Sequence, residues 1–156
     1  METARPATVA DLPRLVQLWH AARAELGALR GGDVLHAQAG RSEPVAHSFA
    51  ADLADPARGL WAGTVNATVV GYAAGRIEAL RDGTCLGVVT DLFVDGECRA
   101  VGVGEAMMGQ MLTWFGERHC HGIDAMALPG HRATKNFFED SGFTARLLVM
   151  HRRLDG

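Results

Sequence analysis

The chain has 156 residues, 48% of them hydrophobic and 21% charged, with a formal net charge of −3. That length suits one domain, 1–156, able to bury about 70% of its unfolded surface without metals or disulfides. The slight negative charge offers no basic footprint for nucleic acid or an anionic membrane, and no apolar run is long enough to cross a bilayer.

A short strand at 3–6 opens the chain. Thr8-Val-Ala-Asp11 has the form of a capping box with Asp in place of Glu. It starts a helix with Leu12, Leu15, Val16 and Trp19 on one face, and Pro13 fits because it lies in the first turn. The helix fades near Gly27, Gly31-Gly32 interrupts the chain, and a second helical stretch spans 42–53 before Pro56 and Gly59. From Leu60 the period changes. Segments 60–65, 68–77 and 86–94, with turns at Asn66-Ala67 and Arg81-Asp-Gly83, predict an antiparallel meander. A helix at 103–117 turns Val103, Met107, Met111, Trp114 and Phe115 inward; a strand at 123–128, a helix at 134–141 and an extended segment at 143–154 follow. The strands on either side of the 103–117 helix should run parallel, because a helix-length crossover joins them.

The most informative stretch is the apolar, β-branched run 86–94 followed by a polar turn and Arg99-Ala-Val-Gly102-Val-Gly104. This is a strand, a glycine-bearing loop and a helix start. Glycines there allow close approach of a ligand to the backbone, and first-turn N–H groups without intrahelical partners can point at an anion. A dinucleotide fingerprint is excluded: Gly102-Val-Gly104-Glu-Ala-Met107 lacks the third glycine and lies two-thirds of the way along the chain. By themselves the glycines could equally turn a corner and pack a helix closely.

Arg99 and the strand before it add a third reading. The stretch resembles the acetyl-CoA-binding motif of the GCN5-related N-acetyltransferases (GNAT), R/Q-x-x-G-x-G/A after a strand. Downstream, Asn136-Phe-Phe-Glu-Asp-Ser-Gly-Phe143 looks like that family's Tyr-Glu-x-x-Gly-Phe signature. The resemblance implies an α/β (α+β) fold: a mixed, mostly antiparallel sheet with splayed central parallel strands and about four helices. It implies acetyl-CoA as co-substrate, its pyrophosphate held by Arg99, Ala100, Val101, Gly102, Val103 and Gly104. The pantetheine arm would run beside Leu92, Phe93 and Val94, with Lys135, Asn136 and Phe138 near the cofactor.

Transfer of acetyl from a thioester to an amine needs a polarised carbonyl, a neutral amine and a proton for the departing thiolate. A backbone N–H among residues 92–94 is the family's answer for the carbonyl. For the amine, Asp91 is the only carboxylate in 86–94, and it is a base, a substrate-amine anchor or a carboxylate bonded to its neighbours. Diamine and polyamine acetyltransferases show a similar Glu-Asp-x-Phe-Val run, but here Thr90 stands where that Glu would be. Glu78 is the reserve candidate. For the thiolate, the family's tyrosine is matched by Phe138, and the one tyrosine, Tyr72, lies on another predicted strand. Water, the amine's proton, His131 or Asn136 are the substitutes.

Several neighbouring residues have plainer readings. His131 stands where the family often has an asparagine, Arg132 and Lys135 are phosphate contacts or solvated charges, and Glu105 should point away from phosphate. His119-Cys120-His121 cannot converge on one ion, so no metal is expected. Cys85, Cys98 and Cys120 fit reduced thiols, hence a cytoplasmic protein. The acceptor would be a small-molecule or peptide amine, attacked directly, with no nucleic acid or membrane partner. Homodimerisation through sheet edges is compatible with this architecture. A weakly catalytic acyl-CoA-binding module and a partner-binding domain on the same scaffold are the competing readings.

Overall fold

The computed structural model describes residues 1–99 and 102–155. Strands β1 (Glu2–Pro6), β2 (Arg58–Val65), β3 (Thr68–Ala79), β4 (Cys85–Val94) and β5 (Cys120–Ala125) form one sheet in chain order. β1 to β4 are antiparallel neighbours, and β5 runs parallel to β4. The short links explain this. Asn66 and Ala67 both take positive φ, the backbone of a two-residue hairpin turn. In the next link Gly83 has a φ of +86°, and Asp82 Oδ1 accepts from the Thr84 amide and hydroxyl. The parallel pair is joined instead through a helix.

Helices α1 (Leu12–Gly27), α2 (Gly32–Ala39) and α3 (Val45–Ala54) precede β2; α4 (Val103–Glu117) and α5 (Arg132–Asp140) flank β5 in sequence. Two apolar cores sandwich the sheet. Leu15, Leu18 and Trp19 of α1 and Val45 and Phe49 of α3 pack on Leu60, Tyr72 and Ala74. On the other face Val103, Met107, Met111 and Phe115 of α4, with Phe138 of α5, pack on Trp61, Ala73 and Val89. Successive strand residues thus serve opposite cores, as the pleat requires. Phe115 lies against bare backbone: a Cβ on Gly75 or Gly87 would come within 2.7 Å of its ring.

The expected substitution of Asp in the capping box is present. Asp11 Oδ2 accepts from the Thr8 amide at 2.8 Å, and both its oxygens take Arg5, at 2.8 and 2.9 Å. Some elements differ from expectation. α2 lies where the glycine pair suggested an interruption, because Gly31 takes a φ of +81° and starts a helix rather than ending one. α3 begins at Val45, with Pro44 itself in an extended conformation as its N-cap. β5 occupies 120–125 rather than 123–128, and α5 starts at Arg132. Segment 143–154 is assigned to no strand. Among the described residues no helix is long and apolar enough to cross a membrane.

Candidate active site

The site is created by one extra residue in β4. Across β3 and β4, Gly75 faces Val89 and Ala74 faces Asp91, so Thr90 is unmatched, a β-bulge. Before the bulge Gly87 and Val89 face α4; after it Leu92 and Val94 do. If Thr90 took a regular place in the ladder, the alternation would aim Asp91 into the apolar α4 core. Because Thr90 is bulged out instead, Asp91 joins Tyr72 on the α1–α3 face.

The same stretch leaves its parallel neighbour. Pairing of β4 with β5 ends at Val89 opposite Ala125, whereas pairing with β3 continues to Val94 opposite Gly71. Residues 90–94 therefore have no β5 partner, and Leu92, Phe93 and Val94 lie along the gap. Beyond them Arg99 donates Nε to the Val94 carbonyl at 2.9 Å and sits over the Phe93 ring at 5.4 Å. Ala100 and Val101 lie outside the described residues. Gly102, at a φ of +89°, is the N-cap of α4, whose first-turn amides have no intrahelical acceptor. A Cβ on Gly104 would stand 3.1 Å from Phe137, so α4 and α5 meet closely here.

A cavity of about 210 Å³ opens on the α1–α2 side of the gap, bordered by Trp19, His36, Arg41, Asp91, His131 and Phe138. Its floor is an ion cluster that no local motif announces. Arg41 donates Nε to Asp91 Oδ2 and Nη2 to Asp91 Oδ1, both at 3.0 Å, and Nη2 also lies 2.8 Å from Asp52. The side chains are 8% (Arg41), 12% (Asp91) and 6% (Asp52) exposed. Burial opposes the Arg41 charge, but the two carboxylates more than offset this and hold its pKa above the ordinary value. Asp91 also accepts from Thr90 Oγ1 at 2.8 Å and from the Tyr72 hydroxyl at 3.3 Å. Burial, then the Asp91 charge, pushes the Tyr72 hydroxyl well above its usual pKa.

On the cofactor side Glu25 of α1 bridges Arg99, 2.5 Å from Nη2, and His131 Nε2 at 3.4 Å. His131 also bonds Thr134 Oγ1 at 3.0 Å. Phe138 is buried against Phe137 and Phe143 and borders the cavity. Lys135 pairs with Glu139 at 2.6 Å on the exposed side of α5, and Asn136 and Arg132 are exposed there too. Glu78 pairs with Arg76 at the far end of β3, and Glu105 is exposed. Among the described residues no three His, Cys, Asp or Glu side chains converge as a metal site.

A mixed sheet whose parallel pair stops pairing beside a glycine-capped helix, with a pocket on the other side of the gap, matches the acetyltransferase fold that the sequence resemblance implies. The chain belongs to the acetyltransferase (GNAT) family, whose profile matches residues 19–143. The expected fold class holds, with five α-helices among the described residues where about four were expected. Solved structures share the fold. One is a Clostridium acetobutylicum protein described as a predicted acetyltransferase with acetyl-CoA (TM-score 0.70, 18% identity, 99% of this chain and 97% of that one). Another is an aminoglycoside acetyltransferase from an uncultured soil metagenomic sample in complex with sisomicin (0.73, 16%, 97% and 94%). A third is a Bacillus halodurans protein described as a transcriptional regulator (0.71, 22%, 97% and 100%). No curated protein matches the sequence.

Proposed function

We propose that the protein transfers the acetyl group of acetyl-CoA to a primary amine by direct attack, within one domain and without an acyl-enzyme intermediate. The observation that carries this reading is the run 90–94 of β4, free of β5 and leading to the N-terminus of α4. Acetyl-CoA supplies an activated thioester when bound. Among residues 92–94, backbone N–H groups directed into the gap are the donors for the carbonyl oxygen, a contact worth a few kcal/mol in the transition state. Arg99 and the first-turn amides of Val103 and Gly104 receive the diphosphate.

The amine enters from the cavity. The oxygens of Asp91 already accept from Arg41, Tyr72 and Thr90, a geometry that favours anchoring the amine over deprotonating it. The amine nitrogen attacks the carbonyl carbon, the C–S bond breaks, and the thiolate must gain a proton. Phe138 has none to give, and Tyr72 is directed at Asp91. The amine's own proton, relayed by His131 or water, is the remaining supply.

Two measurements test this. Acetyl-CoA should raise the melting temperature saturably, and thiol release should appear with some member of a panel of diamines, amino acids, peptides and aminoglycosides. No thermal shift at millimolar acetyl-CoA overturns the reading, because a ligand at 100 times its Kd adds about 2.7 kcal/mol. Binding without acetylation of any amine favours an acyl-CoA-binding module, the reading that Phe138 and the engaged Asp91 support.

A further inference from the structure

The closed end of the parallel pair carries two thiols. In its ladder with β3, β4 is regular from Cys85 to Val89, so Cys85 shares a face with Gly87, which lies under Phe115, and with Val89 of the α4 core. In β5, Ile123 and Ala125 pack on the same core, and strict alternation would set His121 beside them and Cys120 on the opposite face. The register prevents this. Cys85 faces Cys120 and Leu86 faces Gly122, so His121 is unmatched; Cys120 returns to the α4 core while His121 is exposed. Two cysteines thus hold partnered positions on neighbouring strands, on one side of the sheet. Hydrogen-bonded strands lie about 4.7–4.9 Å apart, inside the range of about 4.4–6.8 Å between Cα atoms that a disulfide spans. Both thiols are free and half-buried, within reach of a small reagent. Burial first, and the Cys85 sulfur second, raise the pKa of the Cys120 thiol, an effect that needs the two sulfurs close together. Cys98 is out of range: it follows the other end of β4, a strand of 10 residues and so about 30 Å long.

We propose that Cys85 and Cys120 are a paired modification site, a dithiol that closes to a disulfide on reaction with a low-molecular-weight disulfide such as oxidised glutathione. One cysteine thiolate attacks a sulfur of the reagent, whose S–S bond breaks and releases the first small thiol. The other cysteine thiolate then attacks the protein sulfur of the mixed disulfide and releases the second. Two protein thiols are oxidised, one small disulfide is reduced to two thiols, and the two protons leave with them. The new bond ties the first residues of β4 and β5, at the end opposite the unpaired run 90–94. The loop that it closes, 85–120, contains that run, Arg99 and the whole of α4. Oxidation therefore cross-links the two ends of that unit from outside the gap, and it does not depend on the acetyl-transfer reading.

The folded full chain, incubated with millimolar oxidised glutathione, should lose about 2 Da, the mass of two thiol hydrogens. It should keep a single thiol for iodoacetamide, on Cys98, and yield on digestion a peptide pair joined through Cys85 and Cys120. Its melting temperature should rise by about 5–10 °C over the reduced chain, because the closed loop restricts the unfolded state. Cys98→Ser should behave as the parent does, whereas Cys85→Ser should form no internal bond and show no thermal shift. Thiols that stay reduced, glutathione adducts that persist on Cys85 or Cys120, or a link to Cys98 overturn the proposal. So does a bond that leaves the melting temperature unchanged or lower, since the strands would then have to be strained to meet. In case Cys85→Ser does not fold, the mass and peptide readouts on the parent and on Cys98→Ser decide the matter alone.

Discussion

Arg41 and Asp91 face each other as a fork, with two 3.0 Å hydrogen bonds linking the segment before α3 to the bulged end of β4. Asp52 shares the same guanidinium and has only Arg58 besides, at 3.7 Å, so removal of Arg41 leaves buried Asp91 without a counter-charge and Asp52 with a distant one. Breaking a buried pair in this way costs about 3–5 kcal/mol. Arg41→Met should lose that much in urea denaturation at pH 7. Arg41→Met/Asp91→Asn should lose less than the two single changes added together, since the second substitution removes a charge that the first had stranded. Additive losses would mean that the fork is not energetically coupled.

The same fork bears on catalysis. Because Asp91 spends its acceptor capacity on protein donors, Asp91→Asn should raise KM for the amine while lowering kcat less than about tenfold, below the usual ~10²–10⁴ for a lost general base. The acid limb of the kcat profile should remain where it is in the parent enzyme. Its disappearance in the variant would return Asp91 to the role of base.

What the sequence disclosed and what it hid divide along one line. Period, capping and turn chemistry act over a few residues, so the meander, the helix from Val103 and the Thr8–Asp11 cap were legible. The GNAT resemblance supplied the parting of the parallel strands. The Thr90 bulge was not legible, because it exists only relative to the register of β3. Arg41 meets Asp91 across fifty residues of sequence, and Glu25 meets Arg99 across seventy-four; neither carries a local signal. Tyr72 was placed on its own strand correctly, but only pairing opposite Phe93 brings its hydroxyl to Asp91. Segment 143–154 reads as extended in the sequence but is assigned to no strand, because strand formation depends on which edges the finished sheet offers.

Glu25 occupies the guanidinium that the proposed diphosphate contact requires. Its carboxylate pairs with Arg99 and reaches His131, so an incoming diphosphate must compete with it. Glu25→Gln should therefore tighten acetyl-CoA binding about three- to tenfold at low ionic strength, roughly 0.7–1.4 kcal/mol, with the gain shrinking as salt rises. Calorimetric titration reads this directly. Weaker binding in the variant would show instead that Glu25 orients Arg99 for the cofactor.

Phe115 fills the space above Gly75 and Gly87, and a Cβ on Gly87 would approach its ring to 2.7 Å, with no flexible chain end to yield. Gly87→Ala should destabilise by about 1–3 kcal/mol through overpacking. Phe115 lies on the helix whose first turn borders the gap, so acetyl-CoA affinity should fall with stability. Phe115→Leu in the Gly87→Ala background should recover part of both. Failure of that rescue would place the strain in the strand backbone rather than under α4.

Asp11 offers a test of electrostatics away from the site. Asp11 is 8% exposed, and the Arg5 guanidinium holds its pKa at about 2, below the usual 3.8. A depressed folded-state pKa stabilises the fold above the unfolded value, and that contribution fades as pH falls from about 4 toward 2. Arg5 is 44% exposed, so solvent screening reduces the effect to about 1–2 kcal/mol. Asp11→Asn keeps an oxygen able to accept from the Thr8 amide while removing the charge, which isolates the ion pair from the cap. The stability difference between parent and variant should be full at pH 7, halve between pH 4 and 2, and vanish only below about pH 2 in chemical denaturation. A difference that stayed constant over that interval would assign the loss to the cap hydrogen bond and not to Arg5.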